Sequence, residues 1–290
     1  MYLDLYKIDK TVNLDSHSCF GDSNTFPQFQ EGLEIFEDHM IHSVFENEDM
    51  RGRTFYKFGD GDYYFLTKQS FGSASVGARA LSLPYDKINH EEFVKGAQLN
   101  DFYTCEIYPE NISRFNEVIE RDISYPAEYS YGLVANKWFF NKFSGNIGLI
   151  GASEKLYLIE ELMKYDEYKE YLGLDKFNDY IHFPQKYACD DIDSVEKFVG
   201  EQLKNSSSKI FLLGIGHSKS ALLYKFKKYT DAVFMDVGAG IDMIAGCINN
   251  KRPFAGDWTN YRIEKYDYSK IDYLRYSGEG KHIFLKGNYL

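Results

Sequence analysis

The sequence predicts an α/β fold: a Rossmann-like, doubly wound and mainly parallel sheet flanked by helices, with an N-terminal elaboration. Three observations carry that expectation. Four short apolar runs in the second half, each closed by Gly, Pro or a polar turn, are spaced as parallel strands are. Amphipathic helical patterns lie between them. The chain has 290 residues, 44% of them hydrophobic, enough apolar surface for a sizeable core.

Before residue 50, only "LEIFEDHMIHSV" (33–44) carries a helical stripe, through Leu33, Phe36, Met40 and Val44. "RTFYKFG" (53–59) reads as a strand; "HEEFVKGAQL" (90–99), "NISRFNEVIERD" (111–122) and "YGLVANKWFFNKF" (131–143) read as helices. The second half opens with the strand "NIGLIGAS" (146–153). The helix "EKLYLIEELMKY" follows, with Leu156, Ile159 and Met163 on one face. The strand "DYIHFPQ" (179–185) precedes "DSVEKFVGEQLK", a helix expected to start from an Asp193 or Ser194 cap and to bury Val195, Phe198, Val199 and Leu203. The strand "KIFLLGIG" (209–216) leads into "SKSALLYKFKKY", where Leu222, Phe226 and Tyr229 share a face, and "DAVFMDVG" (231–238) closes the series. The order βαβαβαβ calls for right-handed crossovers and a parallel sheet.

There is no repeat, low-complexity tract or Pro/Ser linker, so residues 1–290 are expected to form one unit. Its parts are an N-terminal elaboration (1–50), a half containing an Asp-x-Asp motif (51–145), a βαβ half (146–262) and a C-terminal segment (263–290).

A net charge of −11 and a pI near 5.2 argue against nucleic acid as a partner, because phosphate contacts need a basic surface. Cys19, Cys105, Cys189 and Cys247 form no CxxC pair and read as reduced thiols. The N-terminus lacks a basic segment followed by an apolar one, and no long uncharged apolar run occurs. The expectation is a soluble, cytoplasmic protein with no transmembrane segment.

Three stretches could carry chemistry. In "LLGIGHSKSALL" (212–223) a strand runs through a glycine turn into a helix, a junction that suits a phosphate. As a dinucleotide fingerprint it has Gly214 and Gly216 but Lys219 in place of the third glycine, with Asp236 placed for a ribose hydroxyl. As a nucleophile elbow, Ser218 would be followed by Asp257 and His282, but Ser220 replaces the final glycine. A turn that cradles a nucleotide-sugar diphosphate, or serves chain reversal alone, fits as well.

The second stretch, "KFGDGDYYF" (57–65), offers two carboxylates, Asp60 and Asp62, about a bend at Gly61. Such a pair can chelate a divalent ion that neutralises a leaving diphosphate. The competing reading is a hairpin with an Asp-Gly turn. The third stretch, residues 235–258, is expected to be a long irregular loop carrying Asp236, Asp242, Arg252, Asp257 and Trp258. His39 and His42 stand three apart and could share a helix face, with no third ligand nearby to complete a metal site.

The strand ending in "KFGDGDYYF", and much later "IFLLGIGHSKSALLYKFKKYTDAVFMDVG" followed by a Gly/Asp loop with "KRPFAGDW", resemble the GT-D type glycosyltransferases. Family members carry an R-F-G-D-G-E-like motif. The resemblance implies transfer of a sugar from a nucleotide-sugar, with UDP the expected nucleotide, to a hydroxyl of a glycan or glycoconjugate; a homodimer is compatible with it. It implies Asp60 and Asp62 as metal ligands (Mn²⁺ or Mg²⁺) or as catalytic groups, with Asp242 as a further base candidate. Gly59, Gly61, Arg79, Gly214, Gly216, His217, Ser218, Lys219, Asp236 and Arg252 would surround the donor. Lys57 replaces the family's Arg and Asp62 its Glu. Because the shorter acid reaches less far, a metal-free site is a second expectation, in which a group such as Lys219, Arg79 or Arg252 meets the diphosphate. The alternatives remain a Rossmann-type cofactor enzyme, either an NAD-dependent dehydrogenase or a SAM-dependent methyltransferase, and a Ser218 hydrolase.

Overall fold

In a computed structural model, the residues described are 52–69, 88–106, 109–136, 138–184, 188–246 and 263–267, with Gly32, Ile35 and Phe36. The strands are β1 (Thr54–Phe58), β2 (Phe102–Cys105), β3 (Tyr125–Pro126), β4 (Ile147–Ala152), β5 (Tyr180–Phe183), β6 (Ile210–Gly214) and β7 (Val233–Asp236). They form one seven-stranded sheet in the order β3-β2-β1-β7-β6-β4-β5, and every pairing is parallel. Parallel strands covered on both faces should be apolar throughout. The wholly buried runs IGLIGA in β4 and IFLLG in β6 meet that requirement.

The helices whose bounds fall within the described residues are α1 (Asp60–Leu66), α2 (His90–Ala97), α3 (Pro109–Val118), α4 (Ala127–Asn136), α5 (Trp138–Lys142), α6 (Ser153–Leu162), α7 (Asp166–Leu172), α8 (Ile192–Lys204), α9 (Lys219–Leu222) and α10 (Gly240–Ile244). They divide into two layers, each with its own core. Phe65, Phe93, Phe115, Val199 and Leu222 pack with Tyr56, Phe58 and Phe234 on one face. Leu133, Phe139, Leu156, Tyr168 and Ile241 pack with Phe55, Leu149 and Met235 on the other. The chain leaves β1 for the first layer through α1 and leaves β7 for the second through α10. Adjacent strands therefore send their connections to opposite faces, the topology at which open α/β sheets generally bind ligands.

The predicted strands at 53–59, 146–153, 179–185, 209–216 and 231–238 all form. The helical stripes at 154–165 and 192–204 are buried as expected, except that Phe198 is only partly covered. Several details differ. β2 and β3 were not predicted, and the helix expected at 131–143 begins at Ala127 and is split into α4 and α5. The cap of α8 is Asp191, whose carboxylate accepts the Ser194 N–H at 3.1 Å, rather than Asp193 or Ser194. The helix expected after Lys219 lasts four residues and tightens into a 3₁₀ turn over Leu223–Lys228. Part of the loop expected at 235–258 is helical, as α10. Of the 33–44 stripe, Phe36 is buried against Phe55, Tyr125 and Tyr129; Leu33, Met40 and Val44 lie outside the described residues.

Candidate functional site

"GDGD" does not turn a hairpin. Phe58 ends β1, Gly59 caps α1 with an extended backbone (φ −136°, ψ 174°), and Asp60 to Asp62 form the helix's first turn. An aspartate at the third helical position can reach back to the capping residue, and Asp62 does so: its Oδ2 accepts the Gly59 N–H at 2.9 Å. The geometry separates the two acids. Asp62 is buried, whereas Asp60 is exposed, with Oδ1 accepting the Gly61 N–H at 2.7 Å.

The sheet order places the turn after β6 on the far side of β7 from this motif, at the same edge. Lys219, at the start of α9, reaches across with its ammonium 3.0 Å from Asp62 Oδ2 and 2.7 Å from Asp236 Oδ2, and it also donates to the Lys57 carbonyl. Three segments more than 150 residues apart at their extremes thus meet in one buried triad, Asp62–Lys219–Asp236. The second oxygen of Asp236 accepts the Gly238 N–H at 2.9 Å, and the Lys57 N–H approaches its first at 3.3 Å. His217 stacks flat on Phe65, with ring centroids 4.6 Å apart, and turns Nδ1 toward Asp62 Oδ1 at 3.5 Å. Tyr56 supports the group from below, with its hydroxyl 2.8 Å from Ser220 Oγ and its ring under the Lys219 ammonium.

Burial by itself would raise the pKa of Asp62, but Lys219, His217 and Lys57 outweigh it and hold the carboxyl well below the usual aspartate range. Lys57 follows the same logic with opposite sign. Burial disfavours its ammonium, yet Tyr131, Asp236, Glu106 and Asp62 more than compensate and raise its pKa. Tyr131 lies under Lys57, with its ring centroid 5.1 Å from Nζ, and burial pushes its phenol up to about 12.

Asp60, Asp62, Gly59, Gly61, Gly214, Gly216, His217, Ser218, Lys219 and Asp236 therefore come to one edge of the sheet. Asp242 pairs instead with Lys155 of α6 at 2.5 Å. Ser218 is fully buried and its hydroxyl donates to the Ile215 carbonyl, which leaves it poorly placed as a nucleophile. Gly214 serves packing: a Cβ there would stand 2.5 Å from the Gly238 carbonyl. Asp236 is buried, and its oxygens already face Lys219 and the Gly238 N–H. Arg79, Arg252, Asp257, Trp258, His282, His39 and His42 lie outside the described residues. Lys57 and Tyr131 were missed as site residues. A lysine between aromatic residues in the buried strand TFYKF was the available signal, since lysine is rarely buried without a reason.

A divalent ion fits these residues poorly. Asp62 already holds a backbone N–H and an ammonium, Asp60 stands in solvent, and no group of three or more His, Cys, Asp or Glu side chains suited to a metal gathers among the described residues. Lys219 occupies the place beside Asp62 where a cation would sit.

No known protein family, curated protein or solved structure matches the chain.

Proposed function

We propose that the protein is a glycosyltransferase that moves a sugar from a nucleotide-sugar, a UDP-sugar by preference, to a hydroxyl of a glycan or glycoconjugate. One observation supports this reading above the others. Two stretches that resemble the GT-D pattern, 57–65 and 210–238, far apart in sequence, meet through Asp62, Lys219 and Asp236 at the carboxyl edge of the central strands, where open α/β sheets bind their ligands. In this reading the acceptor oxygen bonds to the anomeric carbon as the bond from that carbon to the diphosphate oxygen breaks, and the bonding pair leaves with the diphosphate. The acceptor's proton passes to a carboxylate, and Asp60, the solvent-facing acid of the motif, is the candidate. Asp62 and Asp236 hold Lys219 and shape the turns; they act by positioning.

The reading predicts that UDP-sugars raise the melting temperature more than GDP- or CMP-sugars do. It further predicts that Asp60→Asn lowers donor turnover by roughly 10²–10⁴-fold, the usual contribution of a general base, with melting temperature little changed. Turnover undiminished in both Asp60→Asn and Asp62→Asn would refute the assignment.

A further inference from the structure

A cavity of about 240 Å³ lies between the first turn of α2 and the 3₁₀ turn (Ala188–Asp190) that leads from β5 into α8. α2 runs back to the start of β2 and α8 to the start of β6, so the first turns of both stand at the carboxyl edge of the sheet, the edge that carries Asp62, Lys219 and Asp236. Phe93 in the cavity wall meets Phe65 edge-on, with ring centroids 5.1 Å apart, and Phe65 carries the His217 ring. The cavity is thus separated from the triad by a short stack of rings. Its lining is apolar toward the core, through Phe93 and Ile192, and acidic elsewhere, through Glu92, Asp190, Asp191 and Asp193; no lysine or arginine of the described residues lines it.

Most of these carboxylates already have their charge met from behind. Asp191 Oδ1 accepts the Ser194 N–H at 3.1 Å, and Lys225 stands 3.6 Å from Glu92. Glu92 and Asp193 sit in the first turns of α2 and α8, where the helix dipole favours an acid. The acids do not gather into a group suited to a metal. What they offer is lone pairs for hydroxyl donors. Asn89, exposed at the rim, holds the capping position of α2 but makes no capping bond with its side chain, so its amide can both donate and accept. A ligand with several hydroxyls, a C–H face for the apolar wall and no charge matches this lining; an anion would be repelled by it. The volume lies below the roughly 300–1,000 Å³ of drug-sized ligand sites and suits a single ring.

We propose that this cavity is a subsite for one neutral sugar unit, held by Asn89, Glu92 and Asp193 against Phe93 and Ile192. That the sugar belongs to the acceptor glycan rests on the glycosyltransferase reading; the preference for a neutral polyol rests on the lining itself. In that reading the unit bound here is remote from the reacting hydroxyl, and its binding energy helps to hold the acceptor at the edge that carries the triad.

Ligand-observed NMR titration of the whole protein with glucose, galactose, mannose and N-acetylglucosamine, and with putrescine as a small organic cation, tests the subsite apart from sugar transfer. At least one of the sugars is expected to bind, and putrescine is not expected to displace it. Glu92→Gln and Asp193→Asn each exchange a charged acceptor for a neutral one of the same shape, and each should weaken the sugar about fivefold. Asn89→Trp fills the mouth of the cavity from an exposed position, so it should fold and abolish binding. Absence of binding by all of these sugars, binding of putrescine in their place, or wild-type affinity in both Asn89→Trp and Glu92→Gln would each overturn the proposal. If Glu92→Gln does not fold, Asn89→Trp decides it. Sugar binding without turnover of any nucleotide-sugar would keep the subsite and remove the transferase reading. Turnover of a nucleotide-sugar by a wild type that binds none of the sugars would do the reverse.

Discussion

At the scale of the residue, the site is governed by what it costs to bury charge. An aspartate with 6% of its surface exposed keeps its charge only because Lys219, His217 and the Gly59 N–H face it. Its folded pKa lies below its unfolded value of about 3.9, so the stability it contributes is complete above that pH and is lost as pH falls through and below it. The melting temperature of the wild type should therefore fall more steeply below about pH 5 than that of Asp62→Asn, and the two curves should converge in acid. Parallel curves, followed by circular dichroism, would show that the carboxylate is not held in this way. The same cost explains which residues the sequence disclosed. Glycines and acids at turns announce a site, so Asp60, Asp62 and Lys219 were found. The pairing that consumes Lys219 is a fact of three dimensions, set by strands that the sequence does not order. Lys57 was quoted within its motif as a replacement for Arg and passed over as part of the buried charge cluster, although its place in a buried strand was legible.

At the scale of the element, the legible parts were those with a strong local pattern. The apolar runs of β4 and β6 satisfy a buried parallel strand at every position. β2 and β3 gave no such signal: FYTC is four residues long, and β3 is a Tyr-Pro pair, where proline cannot donate to a ladder and is confined to an edge. Its place at the end of the sheet is the physical reason it is tolerated. α2 is seated closely on α9. Gly96 of α2 lies against its backbone, so that a Cβ there would meet the Ser220 carbonyl at 2.3 Å and the Ala221 Cα at 3.1 Å. Alanine in a helix interior normally gains about 1 kcal/mol over glycine. Here the overlap with backbone that cannot swing aside costs about 1–3 kcal/mol or more and wins. Gly96→Ala should lower the melting temperature. A raised melting temperature would show that α2 and α9 are not seated this closely.

At the scale of the whole molecule, the sheet ties the two halves of the sequence together at their chemistry. β1 lies between β2, its near neighbour in sequence, and β7, whose register partner for Phe55 is Met235. Neither half can complete the sheet alone: without β7 the first half exposes an edge of β1, and without β1 the second exposes an edge of β7. An unpaired edge of this kind costs buried hydrogen bonds and invites aggregation. The division at residues 145 and 146 between the two halves of the sequence is therefore expected to mark no boundary in folding. Such contacts, distant along the chain, carry a large loop-closure cost and reward it only when both halves are present. The described core should accordingly unfold in a single calorimetric transition, with the van't Hoff and calorimetric enthalpies in agreement. Residues 51–145 and 146–262, expressed separately, should each lack a cooperative transition and regain one when mixed, if they associate. Two resolved transitions in the intact chain, or a cooperative melt of either fragment by itself, would show that the β1–β7 seam joins two units already folded, and the Asp62–Lys219 contact would then be an interface rather than part of one core.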